Sequence, residues 1–276
     1  MVDLVDIGVN LAHRRFNADR EEVIRRAQAA GVRRMIITGT SAPSSRAAVT
    51  LARGYPGILF ATAGVHPHEA RTLTPAALQE IRELTRFPEV RAIGECGLDF
   101  DRDFSPRLVQ EAAFAAQLEQ ACETGLPVFL HERAAHGRFV PILKPFRSRL
   151  SGAVVHCFTG GAPELDAYLE LDLHIGITGW ICDERRGMGL RSVVGRVPAD
   201  RLMIETDAPF LTPPGAPAPG RRNEPAFLTR VLDAVARSTG RPPDQVAEET
   251  SRTAQLFFGL GSSAPPSPAG GAAPRP

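Results

Sequence analysis

What most constrains this chain is the spacing of its short β-type runs. They fall at 4–9, 35–38, 59–63, 90–94, 128–130, 153–155, 173–177 and 202–204, each followed by a helical pattern such as 19–30, 107–124 or 164–171. Eight strands alternating with helices, and no long polar linker between them, predict a single closed (β/α)8 TIM barrel rather than a doubly wound sheet. Local signals agree. Ser105-Pro106 reads as an N-cap followed by proline at the first helical position, and Gly125 reads as the stop of the same helix. Stretches 225–239 and 243–260 add helix beyond the last strand. The expected domain is 1–261, with 262–276 a disordered tail rich in Pro, Gly, Ala and Ser.

In such a barrel chemistry sits just past the strands' carboxyl ends. One polar or small residue from each end gives Asn10, Gly39, His66, Glu95, His131, His156, Thr178 and Asp207, spaced by 22 to 36 residues. Three of the seven histidines and two acids thus occupy equivalent positions on different strands. Singly, each is as readily a core histidine or a salt-bridge partner. Together, Glu95, His131, His156 and Asp207 make a mixed nitrogen and oxygen set suited to a divalent ion with positions left for water. Cys96 and Cys157, next to Glu95 and His156, should point away from the axis by strand alternation, which argues against zinc–thiolate chemistry.

Composition narrows the partners. With 32 Lys and Arg against 31 Asp and Glu, a polyanion must be held by a local patch. No apolar run reaches the ~18 residues of a membrane span. Four cysteines without a CxxC pair, and no apolar leader near Met1, predict a reduced, cytoplasmic protein. Arg133, Arg185, Arg186, Arg221 and Arg222 fall on the expected mouth, where they form either a phosphate-binding rim or loop salt bridges. Trp180, Phe100 and Phe158 also lie past strand ends, available for base stacking or for packing.

The strings Asp6-Ile7-Gly8-Val9-Asn10-Leu11, Gly64-Val65-His66-Pro67-His68, Ile93-Gly94-Glu95-Cys96-Gly97-Leu98-Asp99, Phe129-Leu130-His131, His156-Cys157-Phe158-Thr159-Gly160 and Ile204-Glu205-Thr206-Asp207-Ala208-Pro209 resemble the TatD family of metal-dependent nucleases. The resemblance runs from about Leu4 to Gly259. It implies a barrel of the metal-dependent hydrolase type acting as a 3′→5′ exonuclease on single-stranded DNA and RNA, with magnesium, or alternatively manganese, as cofactor and a link to DNA repair. It also implies Glu95, His131 and His156 as metal ligands, Asp207 as the base that activates water, and His66 as a phosphate contact. Asn10, Arg133, Trp180 and Arg222 are the expected substrate contacts, and a monomer is expected. Much of the wider family ends its first strand in His-x-His, where this chain has Gly8-Val9-Asn10. That loss argues for one tight ion, with a second recruited only alongside the substrate phosphate. Apart from the resemblance, the same ligands fit a hydrolase of small amides or esters, or an impaired barrel that only binds.

Overall fold

The computed structural model describes residues 3–261; the tail expected over 262–276 lies outside the described residues. Strands β1 (Leu4–Val9), β2 (Val32–Ile37), β3 (Leu59–Ala63), β4 (Val90–Asp99), β5 (Val128–Arg133), β6 (Ala153–Val155), β7 (His174–Ile177) and β8 (Leu202–Ile204) pair in sequence order, every pair parallel. The seam closes through two backbone bonds beyond the ladder, Asp207 N–H to the Gly8 carbonyl (2.8 Å) and Asn10 N–H to the Ala208 carbonyl (2.7 Å). Helices α1 (Arg20–Ala29), α2 (Ala42–Arg53), α3 (Pro75–Leu84), α4 (Arg107–Thr124), α5 (His136–Leu143), α6 (Ala162–Glu170), α7 (Met188–Val193), α8 (Leu228–Thr239) and α9 (Pro243–Phe257) complete the (β/α)8 architecture. Among the described residues, no helix is long and apolar enough to cross a membrane.

Two apolar layers hold it. One, between strands and helices, includes Leu118, Leu130, Phe139, Ile175 and Val231. The other fills the barrel itself with Val5, Ile7, Ile36, Phe60, Phe129 and Met203, and is closed from below by Ala254, Phe258 and Leu260. A parallel sheet buried on both faces needs this second layer, because βαβ crossovers cover only the outside. The β1–β2 register shifts between Asp6 and Val9, so Ile7 fills the interior while its neighbour Gly8 faces the interior groups Phe129 and Glu205. The plain alternation that sets residues 6, 8 and 10 on one face therefore does not run through this strand.

Three local expectations are revised. Strand β4 runs to Asp99, five residues past its expected end, because its backbone keeps pairing with β5 as far as Arg133. Ser105 does not cap α4: its hydroxyl donates to the His68 carbonyl (2.9 Å) and Pro106 takes the cap position, while Gly125 ends the helix in the left-handed region as expected. Cys157 does not point away from the mouth. Strand β6 has already ended at Val155, and a φ of 47° at Cys157 turns it into the pocket. Cys96 does lie in the helix-facing layer, and all four cysteines are free thiols.

Candidate metal centre

Backbone bonds past the strand ends set where each functional side chain points. Glu95 N–H donates to the Gly39 carbonyl (2.7 Å), His156 N–H to the Leu130 carbonyl (2.9 Å) and His66 N–H to the Thr40 carbonyl (3.0 Å). Three imidazole nitrogens then converge on one carboxylate oxygen. Glu95 Oε1 lies 2.7 Å from His156 Nε2, 2.8 Å from His131 Nδ1 and 3.2 Å from His66 Nε2. One donor atom each from His66, Glu95 and His131 all lie within 4.8 Å of one another, a spacing that one dication can gather. His66 thus lies within reach of the cluster, at the mouth position from which the sequence expects it to contact phosphate.

The electrostatics show how well this cluster suits a cation. Burial alone would raise the Glu95 carboxyl, but the imidazoles of His156 and His66 and hydrogen bonds from His131 and His156 hold it well below the carboxylate range. Burial opposes protonation of His156 and His131; Glu95 and Glu205 beside the first, and Asp99 and Glu95 beside the second, outweigh it and raise both. The negative field that raises these imidazoles is the one a bound dication would neutralise. His66 differs, since burial pushes it down to about 4; its Nδ1 accepts from the His68 backbone N–H at 3.1 Å, which leaves the ring proton on Nε2, facing Glu95.

Two carboxylates behind the donors were not singled out from the sequence. Asp99 Oδ2 accepts from His68 Nε2 at 2.6 Å and lies 3.5 Å from His131 Nε2. Glu205, wholly buried, accepts from the Cys157 backbone N–H at 2.5 Å through Oε1 and sets Oε2 3.4 Å from His156 Nδ1. Among the described residues those last two atoms have no hydrogen-bond partner, an arrangement that calls for one proton held between them and fixes which His156 nitrogen faces the centre. Asp99 had a signal in the sequence: on an extended β4, residues 95, 97 and 99 share one face. Glu205 had none beyond its neighbour Asp207.

Asp207 leaves β8 in the left-handed region, with φ at 52°, and its Oδ1 accepts from Asn10 Nδ2 at 3.0 Å. Burial, with Glu95 and Glu205 adding to it and His156 pulling back, pushes its carboxyl up to about 7. It shares with His66, Glu95, His131 and His156 a pocket of about 540 Å³ that Asn10, Arg102, Arg133 and Phe210 also line.

The remaining expected contacts divide. Arg133 reaches the pocket, with Nη1 donating to Thr159 Oγ1 at 2.7 Å. Trp180 stands outside the pocket lining; its indole N–H donates to the Arg186 carbonyl (3.1 Å), and the guanidiniums of Arg133 and Arg186 lie over its ring. Arg222 turns inward. It donates to both Asp19 oxygens at 2.6 and 2.7 Å and to Glu224 at 2.7 Å, the loop-brace alternative rather than a free rim. Phe158 is buried against Tyr168, and Phe100 lies under Arg107.

A parallel barrel whose strand ends gather three imidazoles and a carboxylate, with a second carboxylate held near neutral pKa in the same pocket, defines a metal-dependent hydrolase. Comparison with known proteins is more specific. The family model described as TatD related DNase matches residues 5–259, and the chain belongs to that family. It is 51% identical over 259 residues to the 3′-5′ ssDNA/RNA exonuclease TatD of Edwardsiella piscicida, covering 93% of this chain and 100% of that protein. The enzyme of the same name from Klebsiella pneumoniae (strain 342) is 49% identical, with 93% and 98% covered. Among solved structures, YjjV, a TatD homologue from Escherichia coli K12, superposes with a TM-score of 0.86 at 28% identity, covering 94% of this chain and 98% of that one.

Proposed function

We propose that this protein removes mononucleotides from the 3′ end of single-stranded DNA or RNA by metal-dependent hydrolysis of the phosphodiester. The observation that carries the reading is the convergence of His66, His131 and His156 on Glu95 Oε1 in the pocket that also contains Asp207. Relatives about half identical over their full or nearly full length, named for this activity, supply the substrate and polarity.

Glu95, His131 and His156, with His66 beside them, would hold the ion. Bound there, a dication polarises a phosphate oxygen and lowers the pKa of water. Asp207 takes the proton of the attacking water: its carboxyl, pushed up to about 7, is matched to that transfer near neutral pH. Asn10 holds one Asp207 oxygen by its amide N–H, leaving the other to face the water. Arg133 and Arg102 line the same pocket and offer guanidiniums to the charge that builds on the equatorial oxygens. Glu205 and Asp99 orient the imidazoles from behind.

Magnesium is the working ion in this reading, at one tight site. Three imidazoles beside one carboxylate make a set richer in nitrogen than expected, so manganese should saturate at a lower concentration than magnesium. A monomer is part of this reading, and free thiols fit a reducing cytoplasm. The test is release of mononucleotides from end-labelled single strands with magnesium or manganese, set against a chelator and a panel of small amides. Metal-dependent release from the 3′ end is expected; hydrolysis of amides instead would overturn the reading.

A further inference from the structure

The metal pocket does not end at Phe210. A second groove of about 670 Å³ begins there, sharing Phe210 and Leu211 with the pocket and running between Arg15, Arg186, Arg221 and the proline-rich segment that follows β8. Its floor is held in place from several sides. Arg15 donates to the carbonyls of Pro209 (3.1 Å) and Gly220 (3.4 Å), and the Asn223 amide donates to those of Thr206 (2.9 Å) and Phe210 (2.7 Å). Gly179 admits the Leu211 carbonyl where a Cβ would collide with it. A cleft whose backbone is braced this way needs little ordering when it is filled.

Its chemistry is one-sided. Among the described residues, three arginines and no carboxylate line it. Arg186 is partly committed, since it pairs with Asp183 at 2.8 Å; Arg15 uses one donor on each of two neutral carbonyls, which leaves its charge and its remaining N–H groups for an anion. Arg221 has no hydrogen-bond or ion-pair partner for its guanidinium among the described residues. Its backbone sits at a φ of 57°, and it lines the groove while the next residue, Arg222, reaches back to Asp19 and Glu224. Phe210, at the junction of the two cavities, is 46% exposed.

We propose that this groove carries the single strand adjoining the nucleotide being released, with a base stacked on Phe210 and backbone phosphates paired with Arg221 and Arg15. The proposal rests on the phosphodiesterase reading for the identity of the strand. Three observations favour it. A chain substrate cut beside Asp207 must leave the pocket, and this groove is continuous with it. An unopposed guanidinium and an exposed ring lining one groove supply the charge and stacking that sequence-tolerant single-strand binding uses. On a chain of net charge +1 no general field could replace such a local patch.

The test is fluorescence anisotropy of a labelled oligothymidine of about twelve nucleotides. It is measured in chelator over a salt series with the full chain, R221A, F210A and, as a charge-matched control on α9, R252A. R221A should weaken binding several-fold and flatten the plot of log affinity against log salt by about 0.7, one single-strand phosphate contact. F210A should weaken binding about tenfold at unchanged slope. R252A should match the wild type. Unchanged affinity and slope in R221A, or an equal loss of slope in R252A, overturns the groove. Turnover of the wild type with metal judges the other reading separately. Groove-dependent binding without turnover sinks the hydrolase proposal alone, and turnover with R221A and F210A binding like wild type sinks the groove alone.

Discussion

The carboxylate of Glu205 occupies the space into which a side chain on Gly8 would grow. With no side chain on Gly8, the first strand thereby makes room for a buried acid that braces His156 from behind. Glu205→Gln should weaken manganese binding, measured by calorimetry, by about 10- to 100-fold while the fold persists. Gly8→Ala should act in the same direction, because its Cβ displaces Glu205. Wild-type affinity in both variants would remove Glu205 from the positioning role.

Asp207→Asn keeps the shape and the bond geometry toward Asn10 but cannot take a proton. Turnover should fall by about 10²- to 10⁴-fold, with metal affinity within a few fold of wild type. Retained turnover in a labelled-strand assay would exclude Asp207 as the base.

Metal should bind the native state only, since its ligands come from four strands. At about 100 times its dissociation constant the ion adds about 2.7 kcal/mol, read as a rise in thermal midpoint that chelator reverses. Glu95→Gln should abolish the rise. Titration of the free protein should give one tight site; two of equal affinity would contradict the single such cluster among the described residues.

His174, at the start of β7, packs against Phe257 with the rings tilted by 59°, and its Nδ1 has no hydrogen-bond partner among the described residues. Burial, helped by Arg201, pushes it down to about 4 from 6.5. At this group the folded chain therefore binds fewer protons than the unfolded one. Its contribution to stability is full above pH 6.5 and is lost as pH falls towards 4, by at most about 3 kcal/mol. Asp207, raised to about 7, acts with the opposite sign in the same range, so the contribution is read as a difference: in denaturant melts at both ends of that window, acidification should cost wild type more than His174→Gln. Equal losses would place the acid sensitivity elsewhere.

Arg222→Ala should cost about 1–2 kcal/mol of stability, because Asp19 and the buried Glu224 each lose a charged partner and Arg26 retains both. The salt dependence of strand binding should not change, unlike that of R221A. A flattened slope in Arg222→Ala would return it to the rim.

Much of the architecture was legible because it is periodic. Alternating apolar runs and amphipathic helices specify a parallel barrel, and a residue at the end of each run must then reach one mouth, whatever the intervening sequence. That is how Glu95, His131, His156 and Asp207 could be gathered from remote positions, and how α4 could be bounded at 107 and 124. The reading weakened where strands stop. Cys157, Asp207 and Arg221 all adopt positive φ, and no periodicity predicts the direction of a side chain after such a turn. The role of Glu205 stayed hidden because it depends on Gly8 and Gly176 leaving space on neighbouring strands.

The order and spacing of residues thus determined the barrel, its reactive end and the residue types assembled there, since short-range pattern and chain connectivity suffice for those. Only the tertiary structure decided that His66 lies beside Glu95 and His131, that Glu205 fills the space next to Gly8, and that of two adjacent arginines one braces a loop while the other lines a groove. These are contacts between segments up to two hundred residues apart, and their geometry exists only once the seam between β1 and β8 has closed.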